Sequence, residues 1–160
     1  MIESLHTIRS LGMAPVFEDL YFGKAVPADL QVYMSYPTQF HNTSLDDWQP
    51  LTAGGLIPII DDGNFYDICL FDPARRKFVV KFLEEPGRIK REFDTWQQFL
   101  AYKLLEIAES GLSEEELVEV AEAAEFRRTP ELLSLLREME ELSDDEIERV
   151  ADDFIEACAV

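Results

Sequence analysis

The chain has 160 residues, the length of one compact domain or of one domain with an appendage. Apolar residues make up 47%, with only 7 glycines and 8 prolines, which excludes a disordered, collagen-like or low-complexity chain. Fourteen basic residues against 33 acidic ones give a net charge of −19; this disfavours direct binding to nucleic acid or to an anionic membrane, since both are held by Lys and Arg.

Residues 2–11 read as a short helix, followed by a loop through Tyr21-Phe22-Gly23. Val26-Pro27-Ala28-Asp29 opens a second helix that runs to about Tyr36, where Pro37 stops it. Residues 38–55 read as irregular, with Asn42, Ser44, Asp46, Asp47, Pro50 and a glycine pair. Leu56-Ile57-Pro58-Ile59-Ile60 is an apolar run that its proline assigns to an edge or bulged strand. Asp61-Asp62-Gly63-Asn64 signals a hairpin turn, and it lacks the alternating ligands and terminal Glu of a calcium loop. Residues 65–71 read as a buried strand, and Asp72-Pro73-Ala74-Arg75-Arg76 as a short connection. In residues 77–83, Phe78, Val80 and Phe82 share one side and Lys77 and Lys81 the other, the pattern of a half-solvated antiparallel strand. Asp94-Thr95-Trp96-Gln97 caps a helix to Ser110. Its stripe of Trp96, Phe99, Leu100, Leu104 and Ile107 is placed to cover the sheet.

Composition changes at Gly111. Seven of the eight prolines and all but two of the aromatics precede it, while Leu, Glu and Ala dominate after it. Residues 1–110 hold 16 acids and 10 bases, net −6; residues 111–160 hold 17 acids and 4 bases, net −13. The expected organisation is therefore an α+β domain over 1–110 and an acidic helical extension over 111–160, packed on the same body. Ser113-Glu114-Glu115-Glu116 and Ser143-Asp144-Asp145-Glu146 are capping boxes, stapled by Leu112 with Leu117 and by Leu142 with Ile147. Between them Thr129-Pro130 starts a further helix, with Thr129 as N-cap. The apolar stripes are Leu117, Val120, Ala121 and Ala124; Leu132, Leu135, Leu136 and Met139; and Ile147, Val150, Ala151, Phe154, Ile155 and Cys158. The likeness of 112–117 to 142–147 reflects recurrent capping chemistry more economically than it does a repeat architecture.

Catalytic motifs are absent: there is no GxSxG, HExxH, GxxxxGK[ST] or GxGxxG. His6 and His41 stand alone, without a second ligand at metal spacing, and read as surface histidines. Cys69 and Cys158 form no motif and fit a reducing cytoplasm. No apolar run approaches the roughly 18 residues of a membrane span, and the N-terminal residues lack a signal-peptide core. Carboxylate pairs are too numerous for one to be singled out for acid–base work. The one basic concentration, Arg75-Arg76-Lys77 with Arg88, Lys90 and Arg91, reads as a strand edge guarded by charge; an anion site or a dock for the acidic extension is the alternative.

The order of parts resembles the SUKH superfamily, many of whose members are bacterial immunity proteins. Val26-Pro27-Ala28-Asp29-Leu30 with Tyr33-Met34 is similar to its early helix. Ile57-Pro58-Ile59-Ile60-Asp61-Asp62-Gly63-Asn64 is similar to its first strand and acidic glycine turn. Phe65-Tyr66-Asp67-Ile68-Cys69-Leu70-Phe71-Asp72 resembles the central strand, Lys77-Phe78-Val79-Val80 the next, and Thr95-Trp96-Gln97-Gln98-Phe99-Leu100 the closing helix. Tyr36-Pro37 stands where the family has a glycine pair, Asn64-Phe65 where the turn has its second glycine, and the helical extension is an addition to the core. The resemblance covers about residues 20–110 and implies a sheet covered by helices and a binding role without catalysis.

The combined expectation is an α+β fold, a small antiparallel sheet covered by helices and followed by an acidic three-helix extension. The expected function is that of an immunity protein: cytoplasmic, non-enzymatic and without cofactor or metal, neutralising a cognate bacterial toxin by direct contact. Its partner is a protein toxin, expected to be basic because a negative surface captures a positive one. A regulatory or scaffolding module of the same fold is the alternative. Candidate contact residues are the acids and aromatic of three loops: Asp46, Asp47 and Trp48; Asp61 and Asp62; Glu84 and Glu85. The leucine-rich stripes allow a monomer or a homodimer.

Overall fold

The structure, a computed structural model, describes residues 1–37, 40, 45–63 and 66–159, and of residues 45–48 the backbone alone. The β-branched and aromatic runs form a four-stranded antiparallel sheet: β1 (Ile57–Asp61), β2 (Asp67–Asp72), β3 (Lys77–Phe82) and β4 (Ile89–Phe93), in the order β1-β2-β3-β4. Before it come α1 (Ile2–Ser10), α2 (Pro15–Tyr21), α3 (Ala28–Tyr33) and α4 (Leu45–Thr52); after it, α5 (Trp96–Glu109), α6 (Glu114–Ala123), α7 (Thr129–Met139) and α8 (Asp144–Ala157). This is an α+β fold with C-terminal helices. The chain divides into two compact units, Met1–Asp94 and Thr95–Val160. The compositional change at Gly111 falls inside the second unit, between α5 and α6, and α5 packs with α6, α7 and α8.

In the first unit β1 is the bulged edge strand its proline implies, with the register shift between Pro58 and Ile60. The expectation of a half-solvated β3 is corrected. Val79 and Lys81 are buried along with Phe78 and Val80, so both faces of the strand are covered. Helix α4 is the reason. Residues 45–52 are helical where the sequence reads as irregular, although Pro50 lies inside the helix. Leu51 packs with Leu56, Ile68 and Leu70, the face that Val79 and Lys81 share. The Lys81 ammonium donates to the carbonyls of Pro50 (3.3 Å) and Leu51 (3.2 Å), the orphan acceptors of the helix C-terminus. Burial pushes its pKa down. Two further elements escape the sequence pattern: α2, where the residues read as a loop, and β4, whose Lys90-Arg91-Glu92 core hides a strand that pairs with β3. Helix α3 ends at Tyr33, earlier than Pro37 alone requires, because Ser35 leaves to bridge Asp61.

Tyr21, at the end of α2, is buried, stands edge-on to Tyr36 (centroids 4.8 Å apart), and donates its hydroxyl to the Ile59 carbonyl at 2.6 Å. In the β1–β2 turn Gly63 has φ +69°, and a Cβ there would meet the Val32 carbonyl oxygen at 2.0 Å.

The second unit is built on capped helices. Thr95 and Gln98, Ser113 and Glu116, and Ser143 and Glu146 form reciprocal capping boxes. The start of α7 is corrected by one residue: Arg128 is the N-cap, and the Thr129 hydroxyl donates to the Phe126 carbonyl. The α6 stripe is buried throughout, as are Phe99, Leu100, Leu104 and Ile107 of α5, while Trp96 is half-buried and stacked on Phe99 at 4.7 Å.

Two outcomes check this packing. Gly63→Ala is expected to cost at least about 2 kcal/mol, from the left-handed φ and the backbone clash, whereas Gly87→Ala, with open space around it, changes stability by less than about 0.5 kcal/mol in urea unfolding. For Tyr21, burial raises the phenol pKa above its ordinary value of 10.0. The folded state holds that proton more tightly, so the contribution is complete below pH 10 and is lost as pH rises beyond it. Tyr21→Phe should therefore lose about 1–2 kcal/mol at neutral pH, through the deserted Ile59 carbonyl, and decline less steeply than the parent in alkali.

Candidate protein-binding surface

The predicted contact acids fall into different environments. Asp61 is 4% exposed, and its carboxylate accepts from the Gly63 amide at 3.0 Å. Asp62 is half-buried and accepts from the Tyr66 amide at 3.0 Å. Both carboxylates hold the β1–β2 turn, so Asp61 faces inward instead of forming a contact surface. Glu84 and Glu85 are exposed in the β3–β4 loop, with Glu85 paired to Arg88 at 3.2 Å. Asp46, Asp47 and Trp48 belong to α4, and their side chains lie outside the described residues, as does His41. The structure therefore gathers no single cluster from the predicted residues it describes.

Four members of the basic concentration, Arg75, Lys77, Arg88 and Lys90, are paired locally. Asp72 accepts from the amides of Ala74 and Arg75 (3.0 Å each) and from Arg75 Nε at 2.6 Å. Arg75 reaches on to Glu92 of β4 at 2.7 Å, tying the β2–β3 turn to the edge strand. Hydrogen bonds from the Arg75 guanidinium hold the Asp72 carboxyl below its ordinary range. Lys90 pairs with Asp67 at 2.6 Å and Lys77 with Asp94 at 3.0 Å. Arg88 and Lys90 also stand over the Phe82 ring, 5.5 and 5.3 Å from its centroid. These contacts fit a strand edge guarded by charge.

The second unit carries the charge. Residues 95–160 hold 19 acids and 5 bases, net −14. Lys103, Arg128 and Arg137 each lie within ion-pair distance of a glutamate: Glu106, Glu131 and Glu114. One end of this unit is closed. The Gln97 side chain donates to the Glu125 carbonyl at 3.1 Å and accepts from the Arg127 amide at 2.9 Å, bracing the α6–α7 turn. Arg128 donates to the Ala157 carbonyl at 3.0 Å and lies over the Phe154 ring, which meets Phe126 edge-on. The other end is open. A groove of about 400 Å³ runs between the end of α5, the start of α6, the second half of α7 and the start of α8. Leu112, Leu133, Leu136, Met139 and Ile147 line it and are half-buried, and Glu109, Glu114, Arg137 and Glu140 stand exposed around them. Sequence reading names Leu136, Met139 and Ile147 as stripe positions and misses the groove, because a stripe does not reveal which of its members find a neighbour.

Among the described residues no three His, Cys, Asp or Glu side chains assemble a metal site, and no helix is long and apolar enough to cross a membrane. His6 is exposed, while Cys69 and Cys158 are buried.

Substitution separates the structural acids from the surface acids. Asp61→Ala is expected to cost about 1–2 kcal/mol, because the Gly63 amide loses its acceptor. Glu84→Lys and Glu85→Lys are expected to stay within about 0.5 kcal/mol of the parent, the exposed Glu85 pair being worth little. Urea unfolding of the three variants checks the order.

A search of protein-family models, of curated proteins and of solved structures finds no match to this chain.

Proposed function

We propose that the chain is a non-catalytic protein-binding module whose partner is a basic protein, and that this partner is a cognate bacterial toxin which the chain neutralises by contact. The observation that carries the binding part is the acidity of the second unit: 19 acids and 5 bases in residues 95–160, with three of the bases already within reach of glutamates. A field of that sign steers a cationic surface and repels nucleic acid. The toxin part is supported by the resemblance of the order of parts over about residues 20–110 to the SUKH superfamily, which names a class of partner but no contact residues. A regulatory or scaffolding module remains the second reading, because the same acidic surface serves any basic partner.

The test is capture of the tagged chain from its native cells with the bound partners identified by mass spectrometry. One stoichiometric partner that is basic, toxic when expressed alone and harmless beside this chain is the expected result. A stable partner without toxicity moves the function to the scaffolding reading. Association with a basic partner should also slow by at least about tenfold between low and physiological salt, measured by stopped-flow mixing. A rate insensitive to salt overturns the electrostatic basis.

A further inference from the structure

The groove in the second unit combines two properties that its own helices do not reconcile. Its floor is apolar, made by Leu133, Leu136, Met139 and Ile147, all half-buried, whereas the same stripes supply the buried Leu132, Phe154 and Ile155. Its rim is acidic. Arg137, the single cation of the lining, is held by both carboxylate oxygens of Glu114, at 2.8 and 2.9 Å. Glu109 and Glu140 remain as rim carboxylates beyond that pair. An apolar floor with an anionic rim is the complement of a helix with one apolar face and flanking lysines or arginines, read by anchors at i, i+3, i+4 and i+7.

We propose that this groove receives a basic amphipathic helix of the partner protein; the proposal rests on the reading that the chain binds a basic protein, and adds where and in what form. A second copy is the weaker occupant, because two units of net −14 would be brought together. A small ligand is weaker too, because such pockets carry a few converging polar groups, and here the polar groups stand at the rim.

The test titrates the full chain with a short fluorescent leucine–lysine peptide patterned as an amphipathic helix, and with the same residues scrambled. The patterned peptide is expected to bind, and the scrambled one at least about tenfold more weakly. Leu136→Asp on the floor, and Glu109→Lys with Glu140→Lys on the exposed rim, should each weaken the patterned peptide by at least about tenfold. The rim variants touch no core, so they decide the matter if Leu136→Asp fails to fold. No binding, equal binding of the scrambled peptide, or variants that bind like the parent overturn the proposal. So does sedimentation showing a dimer that the floor substitution dissolves. A captured natural partner that binds the rim variants as tightly as the parent overturns the groove and leaves protein binding standing. A patterned peptide that binds as expected, with a captured partner that is not toxic, keeps the groove and removes the toxin.

Discussion

Nineteen carboxylates against five cations have to be carried by four helices in residues 95–160, and that imbalance governs how the second unit is built. Self-repulsion of this kind works against a compact state, so the acids must be placed where they cost least. The first turns of α6 and α8 take three acids each, Glu114 to Glu116 and Asp144 to Glu146, where the helix dipole favours negative charge. Hydrogen bonds from Ser113 and Ser143 hold the Glu116 and Glu146 carboxyls below their ordinary range. The few cations sit where they act more than once. Arg128 meets Glu131, the Ala157 carbonyl and the Phe154 ring, and so fastens the end of α8 to the start of α7.

That fastening is confined to one end of the unit. Around Gln97, Phe126 and Phe154 the contacts are mixed and partly backbone-directed, and Phe99, Phe126, Phe154 and Ile155 are buried there. At the other end Arg137 and Glu114 form a clamp on the surface, and the apolar side chains between them stay half-covered. A helix unit closed at one end and open at the other presents a groove without needing a flexible lid.

The first unit handles charge in the opposite way, by internalising it. Asp61, Asp67, Asp72 and Lys81 are all buried, and the partners shown for them are turn amides, neighbouring cations or helix carbonyls. Burying a polar group is costly without a partner, and the partners shown here also fix geometry: a turn, a strand edge or the end of α4. Of these acids Asp61 looks like a contact residue in the sequence, because Asp and Glu are usually solvated. The turn signal at Asp61-Asp62-Gly63 does not show which of its carboxylates turns inward to the Gly63 amide.

The sequence by itself determined the local elements whose chemistry is self-contained. Capping boxes at Ser113 and Ser143, the proline-marked bulge of β1 and the apolar strands β2 and β3 follow from residues within a few positions of one another. It also determined the acidity, which is a sum and needs no fold. Tertiary structure alone decided the rest, because the deciding partner lies far along the chain. Pro50 argues against a helix locally, yet α4 forms with Leu51 packed on the sheet and Lys81 at its carbonyls, 30 positions away. The charged strand β4 exists because β3 offers it hydrogen bonds. Which leucines of α7 are core and which line a groove depends on where α5, α6 and α8 end. Periodicity fixes the face a residue occupies, and only packing fixes whether that face is covered.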